Sequence, residues 1–224
     1  MTIDQDAAKQ QLSEVIASQQ CLAFVGAGPV AAIYGSWEGL LKQLCQKLKY
    51  AYDATIDATE LAEKIKSHDI NGYFDELTSI FGQEEFIPRI YRTIIKSGFR
   101  SIVTTNFDMT LAHAAHEIKS PNEFRISSYP SLNPQFDGPL GLFHLHGSIR
   151  NLSRSGKPDI ILSANEFEEG YNGRKSTVDQ FLKTAFTFYH TCFIGYTFKE
   201  KQMLDDMYAR GDTPWEVWKP TGSA

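Results

Sequence analysis

The sequence predicts an α/β fold: a Rossmann-like, mostly parallel sheet with helices on both faces and a small inserted helical module. Apolar runs short enough to be single buried strands recur along the 224 residues, and segments with helical spacing separate them. Strands that alternate with helices are typical of a parallel sheet. Ligands of such sheets bind at the carboxyl ends of the strands, so the residues after each apolar run are the first candidates for a site.

The first apolar run, Cys21 to Val25, leads into Gly26-Ala27-Gly28-Pro29-Val30-Ala31, which has the Gly-x-Gly-x-x-Ala spacing of a dinucleotide-binding turn. Gly26 would allow a tight turn, and Gly28 would let a diphosphate approach the backbone with no room for a Cβ. We therefore expect Gly28→Val to weaken dinucleotide binding and to leave the fold largely intact. N–H groups at the start of a helix favour an anion, and Pro29 suits the first helical turn. A glycine pair after a strand can also mark only a turn, so the motif alone leaves both interpretations open.

Periodicity and turn residues predict the remaining elements. We expect strands over residues 99–105, 124–127, 140–145, 160–163 and 192–195, and helices over 6–18, 36–50 with Ser36 as N-cap, 107–118, 177–189 and 199–208. Residues 150–157 are expected to form a polar turn. Residues 55–97 lack a convincing strand and predict three or four short helices, one of them containing Phe86, with breaks near Gly72 and Gly82. We interpret this segment as the inserted helical module.

We expect one domain over residues 1–210, followed by a turn-rich tail over 211–224 that is either a natural end or a linker. The net charge of −5 gives no basic excess, so neither nucleic acid nor an anionic membrane is an expected partner. Three widely spaced cysteines give no disulfide framework, and no signal peptide or membrane-length apolar run is evident. These features favour a reducing, cytoplasmic location.

Five residues fall at the ends of expected strands: Gly26, Asn106, His146, Ser163 and Gly195. The carboxyl ends of parallel strands meet at one edge, so this coincidence is the main indication of a site. A histidine that follows an apolar strand is more often structural than catalytic, and the spacing alone does not decide the role of His146.

Five motifs occur in one order: Gly26-Ala27-Gly28, Ser36-Trp37 with Leu40-Leu41, Thr104-Thr105-Asn106-Phe107-Asp108, His144-Leu145-His146-Gly147-Ser148 and Phe193-Ile194-Gly195-Tyr196-Thr197. Together they resemble the sirtuin-like domain of prokaryotic antiviral defence proteins, over about residues 20–210. The resemblance implies NAD binding and a catalytic pair of Asn106 and His146. It also implies that Gly26, Ala27 and Gly28, together with Gly195, Tyr196 and Thr197, hold the dinucleotide.

Two departures separate this chain from the protein deacylases of the wider sirtuin family. Those enzymes carry a four-cysteine zinc module after the His-Gly-Ser motif, whereas this chain has no cysteine between Cys45 and Cys192. The Gly-Ile-Pro-x-Phe-Arg stretch expected after the glycine loop is replaced by Ile33-Tyr34-Gly35-Ser36-Trp37. We therefore expect no zinc, and cleavage of NAD by water rather than deacylation.

Several residues keep two interpretations. Asp108 either hydrogen-bonds the ribose or the adjoining backbone, or caps a helix. Tyr196 and Thr197 either bind the adenosine ribose, which the resemblance favours, or cap the last helix. His144 is expected to support the site or to pack, and Trp37 is expected to lie in the core. His113 and His116 lie three residues apart on a helix without a third metal ligand, so we interpret them as solvated.

The expected function is hydrolysis of NAD to nicotinamide and ADP-ribose by the toxic effector domain of a prokaryotic anti-phage defence system that acts by abortive infection. An NAD-dependent ADP-ribosyl transferase or deacylase, and a non-enzymatic NAD or ADP-ribose sensor, are the alternatives. Because an uncontrolled NAD hydrolase would kill its host, we expect an activating domain, a partner protein or a homo-oligomer.

Overall fold

The centre of the molecule is a five-stranded β-sheet. The computed structural model describes residues 5–83, 86–153, 156–172 and 176–196. The sheet strands are β1 (Cys21–Val25), β2 (Ser101–Thr104), β3 (Phe124–Ser128), β4 (Leu140–His144) and β7 (His190–Ile194). They lie in the order β3-β4-β2-β1-β7, and every pairing is parallel. This α/β, Rossmann-like arrangement confirms the predicted fold class.

Helices surround the sheet. They are α1 (Gln5–Ala17), α2 (Ala31–Tyr34), α3 (Trp37–Lys47), α4 (Ala58–His68), α5 (Ile70–Phe81), α6 (Arg89–Lys96), α7 (Thr110–Ile118), α8 (Ala164–Phe167) and α9 (Thr177–Phe188). A 3₁₀ turn (Gly28–Val30) precedes α2, and a π-helical segment (Glu168–Asn172) continues α8. Within the described residues, no helix has the length and apolar character needed to cross a membrane.

The two faces of the sheet carry separate hydrophobic clusters. Phe24, Val103 and Phe143 pack on one face with residues of α9 and the π-helical segment. Ala23, Ile102, Leu142 and residues of α6 and α7 form the cluster on the other face. Every residue of β1 and β2 is buried, which is the pattern of central strands covered on both faces.

A two-stranded antiparallel ribbon lies outside the main sheet. It pairs β5 (Gly147–Leu152) with β6 (Pro158–Ile160) and shares a third cluster with α3, α4 and α5. The predicted polar turn over residues 150–157 is therefore wrong at its start, because residues 150–152 belong to β5. The predicted strand over 160–163 is also wrong, since Ile160 ends β6 and Ser163 caps α8. Short apolar runs do not distinguish a main-sheet strand from a ribbon packed on helices.

Several helix boundaries follow local chemistry. Ser36 caps α3 by accepting a hydrogen bond from Gly39 N at 3.1 Å, and Pro29 lies in the first turn of the 3₁₀ segment, as predicted. Gly82 ends α5, but Gly72 lies inside that helix, where Asp69 accepts a bond from its N–H. The predicted break therefore occurs at Asp69.

Other boundaries and environments differ from expectation. Helix α7 begins at Thr110 rather than near residue 107, and α6 begins at Arg89, which leaves Phe86 exposed before it. Trp37 is 37% exposed and so is not a core residue. The predicted helix over 199–208 and the tail over 211–224 lie outside the described residues.

The proposed boundaries of the domain (1–210) and of the inserted module (55–97) remain predictions. Helices α4 and α5 belong to the third cluster, whereas Tyr91, Ile94 and Ile95 of α6 pack in the cluster against the sheet. The segment thus supplies helices to two hydrophobic clusters.

Candidate active site

The register of the sheet brings Asn106 and His146 to the same edge. Thr104, the last residue of β2, pairs with His144, the last residue of β4, and Asn106 and His146 each follow two residues later. Val25 of β1 pairs with Thr104 on the other side, so Gly26 leaves the sheet beside them. Three predicted site segments therefore start from adjacent strands.

The side chain of Asn106 is held by two acceptors. Its Nδ2 donates to the carbonyl of Gly26 at 3.1 Å and to the hydroxyl of Tyr91 at 3.2 Å. These bonds use both amide hydrogens and assign the orientation of the amide. The half-buried side chain keeps Oδ1 as its acceptor, and Oδ1 receives no hydrogen bond from the described part of the chain. This oxygen is suited to hold a water molecule or a hydroxyl group.

Tyr91 reaches this site from α6 and is 0% exposed. Burial raises the pKa of Tyr91, with the nearby Asp108 carboxylate adding to the effect, so the phenol stays protonated. Sequence analysis did not identify this residue, since a tyrosine on the apolar face of a helix has the signal of an ordinary core residue.

His146 is enclosed by aromatic side chains. It is 1% exposed, and its Nε2 lies 2.6 Å from the hydroxyl of Tyr171. The ring of Phe167 packs edge-on at a centroid distance of 5.2 Å. Tyr171 and Phe167 come from the π-helical segment and α8, and neither was predicted from the sequence.

The glycine loop packs against the end of β7. Gly26 N donates to Ile194 O at 3.0 Å, and Gly28 N donates to Gly195 O at 2.9 Å. A Cβ at Gly28 would lie 2.7 Å from Gly195 Cα, and Gly195 itself has a positive φ of +62°. Backbone therefore occupies the space beside Gly28, so a larger residue there should cost stability, and the expectation that the fold stays largely intact remains a prediction. Ala27 and Gly28 are exposed, so the loop still presents surface.

The end of β7 supplies the last predicted binding residues. The Tyr196 ring contacts Phe24 edge-on, with centroids 5.3 Å apart, and lies 5.9 Å from Phe193. Gly195 and Tyr196 thus lie beside the glycine loop, and their contact with a dinucleotide remains a prediction. Thr197 lies outside the described residues.

Residues 100–210 match the family model of the SIR2-like domain. The match supports a sirtuin-like domain in this chain, and SIR2-like domains bind NAD and are in general NAD-dependent enzymes. The matched range includes Asn106 and His146, whereas the glycine loop precedes it. A search of curated proteins gave no match.

His144 contacts the main chain at Asn106. It is 0% exposed, and its Nδ1–H donates to the carbonyl of Asn106 at 3.1 Å. Burial lowers the pKa of His144, against the opposing effects of this hydrogen bond and of Asp108. A neutral imidazole that donates at Nδ1 leaves Nε2 as an acceptor, and this atom is buried without a partner in the described residues.

Asp108 lies in the loop that follows β2, two residues after Asn106, and is 2% exposed. Its Oδ1 accepts from Thr110 N at 2.9 Å, at the start of α7. The Asp108 carboxylate therefore accepts a hydrogen bond from the first residue of α7. Its contact with a ribose remains a prediction.

Ser163 does not follow a strand of the main sheet. It begins α8 in a capping box with Glu166, whose Oε2 accepts from Leu162 N and Ser163 N at 2.8 Å each. The sequence-based placement of Ser163 among the strand ends is therefore wrong. His116 is exposed and lies against Phe124, and His113 is half-buried. Among the described residues, no group of three or more His, Cys, Asp and Glu side chains could hold a metal ion.

Proposed function

We propose that this SIR2-like domain hydrolyses NAD to nicotinamide and ADP-ribose. One observation carries the proposal. Asn106 and His146 follow neighbouring strands that are paired in register, at the edge of the sheet where the glycine loop begins. An amide acceptor and an imidazole at the carboxyl edge of a parallel sheet are suited to act on one bound molecule.

The chemistry requires these two kinds of group. Water replaces nicotinamide at C1′ of the ribose, so the C–N bond breaks, a C–O bond forms, and water loses one proton. The departure of nicotinamide leaves an oxocarbenium-like ribose, which a neutral amide can approach without forming a bond. Asn106 Oδ1 would hold the water or a ribose hydroxyl. His146 would take the proton, a contribution of roughly 10²–10⁴-fold in rate.

The dinucleotide would lie along the same edge. Gly26, Ala27 and Gly28 would face its diphosphate, and Gly195, Tyr196 and Thr197 would hold the rest of the dinucleotide, with Asp108 as a candidate ribose contact. Contacts between the glycine loop and Gly195 support this grouping, because they join the first and last predicted binding segments. The orphaned Nε2 of His144 is a further buried acceptor near Asn106.

The proposal extends to a cytoplasmic toxic effector in a prokaryotic anti-phage defence system, acting by abortive infection. NAD hydrolysis of this kind must be restrained until infection. An activating domain, a partner protein or homo-oligomerisation would supply the control, without direct binding of nucleic acid or membrane.

The test is incubation of the purified protein with NAD alone, followed by assays of free nicotinamide and ADP-ribose. We expect equal amounts of both products, at a rate that falls by at least ~100-fold in His146→Ala and in Asn106→Ala. High protein concentration and long incubation make slow turnover by an unactivated enzyme measurable. Calorimetry on the same variants should give NAD affinities within a few-fold of the unsubstituted protein.

The alternatives give different results. Tight NAD binding without any nicotinamide release would indicate a sensor. Release that requires an acylated peptide, or that leaves ADP-ribose attached to a macromolecule, would indicate a deacylase or a transferase. Either result would contradict hydrolysis.

A further inference from the structure

We propose that Tyr171 is a positioning residue that fixes the ring orientation and the tautomer of His146. Its hydroxyl lies 2.6 Å from His146 Nε2, and the two side chains are 5% and 1% exposed. The contact itself stands on geometry. Only its effect on turnover rests on the proposed hydrolysis of NAD.

Two aromatic rings restrict the imidazole. Phe167 and Tyr171 stack with centroids 5.6 Å apart and an interplanar angle of 18°. Both meet the imidazole edge-on, at angles of 80° and 75°. The edge-on packing limits small rotations of the imidazole ring. The hydrogen bond with the hydroxyl then favours the ring flip that places Nε2 next to Tyr171.

The hydroxyl also selects a protonation pattern. A neutral imidazole has one nitrogen that donates and one that accepts, and a phenol can donate to the second or accept from the first. For Nδ1 to take a proton in the proposed reaction, Nε2 must carry the hydrogen and donate it to the hydroxyl oxygen of Tyr171, so the hydroxyl stabilises the tautomer that the base requires. Without the hydroxyl, a buried ring nitrogen loses its partner, which makes that tautomer costly.

Tyr171 is itself held independently of His146. Glu166 caps the start of α8 through two backbone N–H groups and also pairs with Lys66 of α4 at 2.6 Å. After the π-helical segment, the hydroxyl of Ser176 donates to the carbonyl of Gly170. Single π-helical turns are frequent at functional sites. The segment is therefore fixed at both ends and can impose a position on the imidazole.

The experiment uses Tyr171→Phe, which removes only the hydroxyl and keeps both ring contacts. Tyr73→Phe is the matched control, because the Tyr73 hydroxyl is buried with no hydrogen-bond partner among the described residues. Imidazole ¹⁵N shifts report the tautomer of each histidine, and the signals of His146 are those missing in His146→Gln. We expect one tautomer in the unsubstituted protein and in Tyr73→Phe, and averaged or reversed ¹⁵N shifts in Tyr171→Phe.

Turnover gives the second readout. Loss of the hydroxyl should lower kcat about tenfold, with KM within about threefold and a melting temperature that is only a few degrees lower. Unchanged ¹⁵N shifts, a rise in activity, or an effect on KM alone would overturn the inference. A changed tautomer in a protein that releases no nicotinamide would instead contradict the proposed function and leave the positioning contact standing.

Discussion

Asn106 and His146 leave the same edge of the sheet, but they are held in different ways. Asn106 is half-buried and is fixed by the backbone of Gly26 and by the buried Tyr91. His146 is almost fully buried and is fixed by Tyr171, which belongs to a segment outside the main sheet.

The positions of the two side chains therefore depend on different parts of the fold. The position of Asn106 follows from the pairing of β1 with β2 and from α6, which packs on the sheet, so it depends on the stability of the whole fold. The surroundings of His146 depend in addition on α8 and the π-helical segment, which pack on one face of the sheet and are also held by a capping box, one ion pair and the bond between Ser176 and Gly170. Perturbation of this segment should therefore affect His146 while the sheet remains folded.

The largest effect on the sheet side is expected for Gly28→Val. The new side chain would meet Gly195 backbone at 2.7–2.9 Å, so the loop or the end of β7 must shift. We expect a loss of about 1–3 kcal/mol in the free energy of unfolding and weaker NAD binding, measured by thermal denaturation and calorimetry. Gly39→Ala is the control in α3, where the added Cβ meets only Ser36 Oγ at 3.4 Å. That control should be neutral or stabilising. An unaltered melting temperature in Gly28→Val would show that the contact with Gly195 is unimportant.

A smaller effect is expected for Tyr91→Phe, which removes one of the two acceptors of the Asn106 amide. The amide can then rotate, so kcat should fall about three- to tenfold. The ¹⁵N shifts of His146 should stay the same, since Tyr91 acts on the other half of the site. Tyr73→Phe again serves as the control for loss of a buried hydroxyl. A changed His146 tautomer in Tyr91→Phe would contradict the separation of the two halves.

The smallest effect is expected for Lys66→Met. Lys66 and Glu166 are 18% and 13% exposed, so removal of the cation leaves a largely buried carboxylate with only its backbone partners. We expect a loss of about 1 kcal/mol in unfolding free energy, with broadened His146 signals and unchanged NAD affinity. Lys42→Met, which breaks the exposed pair with Glu38, should leave the melting temperature and the His146 signals unchanged. Equal behaviour of the two variants would show that the ion pair does not hold the segment.

Sequence spacing predicted which strand ends lie together at the candidate site, because the carboxyl ends of parallel strands meet at one edge of the sheet. Gly26, Asn106, His146 and Gly195 follow this rule, whereas Ser163 does not, because Ile160 ends a strand of the ribbon and Ser163 is the N-cap of α8. Tyr91 and Tyr171 could not be found in this way. Their roles depend on the side chains that they contact from distant parts of the sequence. In the sequence, a buried tyrosine shows the same periodicity whether it only fills the core or also orients a site residue.

The central claim is that Asn106 and His146 act on the same chemical step. The direct measurement compares NAD turnover of Asn106→Ala, His146→Ala and the double variant under identical conditions. If both residues serve one step, the double variant should be only slightly slower than either single variant, each of which loses at least ~100-fold. Losses that multiply to roughly 10⁴-fold would mean that the residues act independently and would contradict the account.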